Sequence, residues 1–107
     1  MRTQAEKKPP SLEKAESLDN LISIEWDVIK DLKKMLRNPE LSVAEKVHVS
    51  NSIAYHVACL NKLLAQKGES PVSDATLGTF IRDLEPRYAR RVTLELKRWT
   101  RRLSLTR

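Results

Sequence analysis

The chemistry-bearing residues of this chain concentrate at one end. Pro86 to Arg107 holds Arg87, Arg90, Arg91, Lys97, Arg98, Arg101, Arg102 and Arg107 against one acid, Glu95, so eight cations and one anion give this segment +7. Met1 to Glu85 carries twelve basic and thirteen acidic residues, so the net charge of +6 describes a near-neutral body with a cationic end. Guanidinium groups grip phosphate oxygens as a fork and stack on bases, which an ammonium point charge does not. Such concentration is the electrostatic footprint of a surface for polyanions, nucleic acid first among them. Adjacent arginines repel one another and only Glu95 dilutes them, so a solvated face kept for solubility is the weaker reading.

Two further groups of residues invite a chemical reading. Glu25 falls in the middle of an apolar stripe between Leu21 and Val28, where an ionised carboxylate needs a partner; an Arg or Lys of a neighbouring helix is the expected one. His48, His56 and Cys59 share one side of a second helix. They would ligate zinc only with a fourth group, and their spacing matches no common finger pattern, so no metal site is expected. The sequence has no phosphate loop, no Gly-rich dinucleotide signature, no paired His-Glu motif and no serine elbow. The expectation is a non-enzymatic protein with no catalytic residue and no cofactor.

The elements that must position these residues are helical. Hydrophobic content of 40% with only two glycines, Gly68 and Gly78, suits helices better than a sheet, whose turns use more glycine. Met1 to Pro10 is polar, lacks an apolar period and reads as a flexible tail. Residues 11–107 read as a single α-helical domain. Apolar residues from Leu18 to Leu36 recur every three or four positions, predicting a helix over 11–37 that stops at Asn38-Pro39. Ser42 and Glu45 form a capping-box pattern that opens a second helix over 43–67, with Gly68 as its stop. A short third helix over 74–84 follows a cap at Ser73, and Pro86 opens a fourth over 86–105. The first two helices, each about 38 Å long, should pair as an antiparallel hairpin across their short linker. The fold class is therefore all-α, a small helical bundle.

On a wheel of about 100° per residue, Tyr88, Val92, Leu96, Trp99 and Leu103 form one stripe of the fourth helix and the cations lie across from it. Packing the stripe on the body presents the arginines to water. A membrane-surface role is disfavoured because the same stripe is needed to cover the core. A helix-turn-helix is disfavoured because Glu85-Pro86 leaves too short a turn before the fourth helix.

Ile24, Trp26, Tyr55, Cys59 and Leu63 are apolar or semi-apolar positions that three long helices have difficulty covering, and they are the expected contacts of a homo-oligomer. A lone cysteine and the absence of an apolar leader point to a reducing, cytoplasmic setting. The sequence thus favours an oligomeric protein that binds DNA or RNA through phosphates. An assembly or adaptor module, such as a viral or mobile-element accessory or packaging component, whose basic helix docks on an acidic protein is the rival reading.

Overall fold

Four helices, α1 (Pro10–Met35), α2 (Val43–Gln66), α3 (Asp74–Ile81) and α4 (Pro86–Leu105), make up the computed structural model. It describes the backbone of residues 10–105 and the side chains of residues 17–104. The tail expected over residues 1–10 lies outside the described residues except for Pro10, which instead opens α1, a position suited to its fixed φ and missing N–H. Arg107 also lies outside them. All four expected helices form. No strand occurs among the described residues, and no helix is long and apolar enough to cross a membrane.

Local chemistry accounts for each boundary. α1 stops two residues earlier than its apolar period suggests: the Leu36, Arg37 and Asn38 amides donate to the Lys33, Lys34 and Met35 carbonyls at 3.0–3.1 Å, three residues back, tightening the last turn before Pro39. At the start of α2 the capping box is complete. The Ser42 hydroxyl accepts from the Glu45 amide at 3.1 Å, and the Glu45 carboxylate accepts from the Ser42 amide at 2.8 Å.

Gly68, at φ 85°, closes α2, with its own amide bonded to the Ala65 carbonyl and the Glu69 amide bonded to Leu64. This is a Schellman turn, and its left-handed residue is why glycine stands there. α3 is capped by the Ser73 hydroxyl, which accepts from the Thr76 amide. It ends at Ile81, not at residue 84: the Arg82 and Leu84 amides bond to the Thr79 and Ile81 carbonyls, three residues back, so the chain leaves the α-helix in tighter turns before Pro86. The connection to α4 is consequently Arg82–Glu85, long enough for a helix-turn-helix turn, which corrects the expectation of too short a link. That motif still does not form, since α4 packs chiefly along α2.

Three side-chain contacts define the arrangement of α4. Lys46 lies over the Tyr88 ring, Tyr55 meets Trp99, and Lys62 donates to the Leu103 carbonyl, so α2 and α4 run parallel. Against α1 the order reverses: Asp19 pairs with Lys67 just beyond α2, and Glu25 pairs with His56. α1 and α2 therefore form the expected antiparallel hairpin. The parallel α4 requires a return path, and residues 68–85 supply it: the Val72 amide donates to Asn61 at 2.7 Å, and further along Asp83 binds Lys33 and Arg37 at the end of α1.

α2 is thus the central helix, covered by α1 on one flank and by α4 on the other. Ile29 of α1, Ile53 and Leu60 of α2 and Val92 of α4 are fully buried. Each such side chain contributes about 1.5–3 kcal/mol of transfer free energy relative to an exposed one. Ser50, Ala54 and Ala58 are buried as well, so the small residues on successive turns of α2 serve close packing inside the monomer.

Candidate nucleic-acid interface

α4 is amphipathic because of where its apolar residues fall. Tyr88 and Val92 are buried and Leu96, Trp99 and Leu103 half-buried, all on one stripe. With that stripe fixed against α2, the cations have nowhere to go but outward.

The structure sorts them into two rows. Arg87, Arg90, Lys97 and Arg101 occupy the face opposite the core at spacings of three, seven and four residues, and all four are exposed. Arg91, Arg98 and Arg102 line one flank instead. Glu95, the only acid of α4, stands in that flank row and is only 9% exposed. Its carboxylate binds Arg98 at 3.1 Å and Arg91 at 3.7 Å. Arg102 lies over the Trp99 ring at 4.8 Å, and Arg87 lies over Tyr88 at 4.9 Å while reaching Glu85 at 3.4 Å.

Among the described residues Arg90, Lys97 and Arg101 pair with no acid. The charge of these three is not offset within the described residues, whereas Arg91 and Arg98 are partly neutralised in place. Sequence spacing alone did not separate the rows. The signal was the position of Glu95 at i+4 from Arg91 and i−3 from Arg98.

One feature of the ridge escaped the sequence reading. Leu94 stands between Arg90 and Lys97 and is 50% exposed, and it lines a broad open groove with Ile81, Arg87 and Arg91. Its place on the wheel, about 200° from Val92, was the available signal.

The residues expected at an oligomer contact separate. Ile24 is 55% exposed and Tyr55 37%, whereas Cys59 and Leu63 are half-buried. Trp26 packs against the hydrophobic core. Ile24 and Trp26 also project about 160° apart on α1, so no single flat contact uses both. Leu21 and Met35 are further exposed apolar side chains of α1.

Glu25 has a partner, though not an Arg or Lys. The His56 Nδ1 lies 2.7 Å from its carboxylate across the α1–α2 seam, both side chains being mostly buried. Histidine satisfies a carboxylate with either a neutral N–H or a charged ring, so the seam needs no buried full charge pair. From there a strip of side chains runs across the three long helices. The His56 ring meets Tyr55 edge-on at 5.3 Å, and Tyr55 meets Trp99 at 4.7 Å and 71°. Trp99 in turn carries Arg102.

Cys59 adjoins this strip, and burial pushes its thiol above the ordinary range while a hydrogen bond from the Tyr55 hydroxyl partly offsets the rise. A thiol so placed is mostly protonated at neutral pH, the opposite of an activated nucleophile. Among the described residues no three His, Cys, Asp or Glu side chains are grouped to hold a metal ion. Compared with protein families, curated proteins and solved structures, the chain matches none.

Proposed function

We propose that this protein is a non-enzymatic nucleic-acid-binding protein that docks α4 on phosphates. The observation that carries the reading is the exposed row of Arg87, Arg90, Lys97 and Arg101, three of which pair with no acid among the described residues. A helix anchored by a buried stripe presents these groups on a rigid base, so little ordering entropy opposes binding. Contact through phosphates implies limited sequence specificity and a steep dependence on salt. The thiol of Cys59 suits a reducing, cytoplasmic setting.

A second copy of the chain is the proposed cover for the exposed apolar residues Leu21 and Ile24 of α1, making the binding unit an oligomer with two or more cationic ridges. Sedimentation at micromolar concentration tests this directly: a monomer throughout would remove the oligomeric part of the proposal.

Titration with duplex DNA, single-stranded DNA and RNA at two salt concentrations tests the main reading. Binding to at least one polymer that weakens as salt rises is expected. Failure to bind any of the three near physiological salt would sink it.

Leu94 favours one rival. An apolar side chain inside a cationic ridge gives no advantage toward phosphate, but it suits an acidic amphipathic helix of a protein partner. In that case Leu94→Asp abolishes partner binding, whereas nucleic-acid affinity falls only as far as the added negative charge requires.

A further inference from the structure

We propose that the groove between α2 and α4 seats one unpaired nucleobase, so that the chain prefers single-stranded nucleic acid; the inference rests on the phosphate-binding reading above and specifies its ligand. The groove has a volume of about 560 Å³ and is lined by His48, Asn51 and Ser52 of α2 and by Trp99 and Arg102 of α4, with Tyr55 between them. That size lies in the usual range for a small-molecule site, about 300–1,000 Å³.

One wall is built for a flat ring. Tyr55 stands edge-on to Trp99, fixing the indole, and the Arg102 guanidinium lies over the indole at 4.8 Å. Trp99 and Arg102 both line the groove, and bases stack on both aromatic and guanidinium planes.

The opposite wall carries polar groups suited to a base edge. His48, Ser52 and Asn51 offer an imidazole, a hydroxyl and an amide. The Asn51 Oδ1 is buried and has no hydrogen-bond donor. A buried acceptor without a donor is costly, and on this proposal the Asn51 amide turns toward the groove on binding to accept from an exocyclic amino group or ring N–H of the base.

Charge fits as well. Arg98 stands one turn before Arg102 in the same flank row of α4, on the side where the phosphates flanking a seated base would pass. In a duplex both faces of every base are covered by neighbours and its pairing edge is occupied. Only a single strand or a frayed end can fill the site.

The two contributions predict opposite preferences. Phosphate contact alone favours the duplex, which has the higher charge density and the steeper salt slope. A base pocket reverses that order.

The test uses the full chain carrying Trp26→Phe, so that Trp99 is the only indole. It is titrated at one salt concentration with a single-stranded 12-mer of DNA, the corresponding duplex, and an abasic 12-mer of equal charge, reading Trp99 emission and the anisotropy of an end-labelled strand. We expect the single strand to change Trp99 emission and to bind more tightly than the abasic strand by roughly five- to 150-fold, the range for one stacked base. Arg102→Lys keeps the charge but loses the plane, and Asn51→Ala removes the edge contact; both should lower single-strand affinity toward the abasic value with the thermal midpoint retained. Equal binding of the single and abasic strands, with unchanged Trp99 emission, overturns the base site while leaving the phosphate reading intact. No binding of any of the three overturns both.

Discussion

Arg98 reaches back one turn to Glu95, Nη1 to Oε2 at 3.1 Å, so the sole acid of α4 restrains an arginine of the flank row and none of the outer row. Arg91 approaches the same oxygen from the other side at 3.7 Å. One nearly buried carboxylate thus decides which cations of a +7 segment are available.

Glu95→Gln should release both arginines. The expected outcome is tighter binding to nucleic acid and a log–log salt slope steeper by about 0.9 for each additional phosphate contacted. An affinity and slope equal to those of the wild type would show that Arg91 and Arg98 do not contribute to the interface.

Substitution of the outer row should do the reverse, and more strongly. Changing Arg90, Lys97 and Arg101 together to Gln is expected to flatten the slope by about 0.9 per lost contact for duplex DNA. Arg91→Gln should cost less than Arg90→Gln, because Arg91 already spends part of its charge on Glu95. Filter binding at four salt concentrations resolves the difference.

Tyr88→Phe should leave the protein as stable as before or stabilise it. The Tyr88 side chain is 2% exposed and its hydroxyl has no hydrogen-bond partner, a penalty of about 1–3 kcal/mol that phenylalanine removes at nearly constant volume. Thermal unfolding checks this; a fall in midpoint of several degrees would mean that the hydroxyl has a partner in solution.

Acid should weaken the anchoring of the return path. The Lys33 ammonium, bonded to Asp83 at 3.0 Å, together with Arg37, holds the Asp83 carboxyl below its ordinary value near 3.8. A carboxylate whose pKa is lower folded than unfolded stabilises the fold fully above the unfolded value, and that contribution is lost as pH falls through the folded value. The window therefore lies below about pH 4. Asp83→Asn should remove this part of the acid dependence, a small one because the pair is exposed. Unfolding midpoints measured from pH 6 to pH 2.5 for both proteins make the comparison.

Cys59 should react slowly with alkylating reagents. Burial raises its pKa, so less thiolate is present at pH 7.5 than in a free cysteine. Tyr55→Phe removes the hydrogen bond that lowers the thiol's pKa, and the alkylation rate per molecule should fall further; a faster rate would mean that the tyrosine ring, more than its hydroxyl, shields the sulfur.

Much of this molecule follows from sequence by local rules. The helix type and order could be read from apolar residues recurring at three and four positions, and the ends of α2 from Ser42, Glu45 and Gly68, because capping and Schellman geometry involve neighbours within a few residues. The opposition of Tyr88, Val92 and Leu96 to the cations is equally local, a consequence of 3.6 residues per turn.

Tertiary structure decided the rest, since it depends on which helix faces meet. The parallel course of α4 along α2 rests on a return segment with little periodicity of its own, pinned by Asn61 to Val72 and by Lys33 to Asp83. His56 as the partner of Glu25, 31 residues away, and the Tyr55–Trp99–Arg102 wall arise only once α1 and α4 are laid on opposite flanks of α2. A single sequence displays the period that makes each helix amphipathic, but not the rotation and neighbour each helix takes when the buried stripes close on one another. That closure turned one cationic helix into an exposed outer row, a flank row partly paired with Glu95 and a groove beside it.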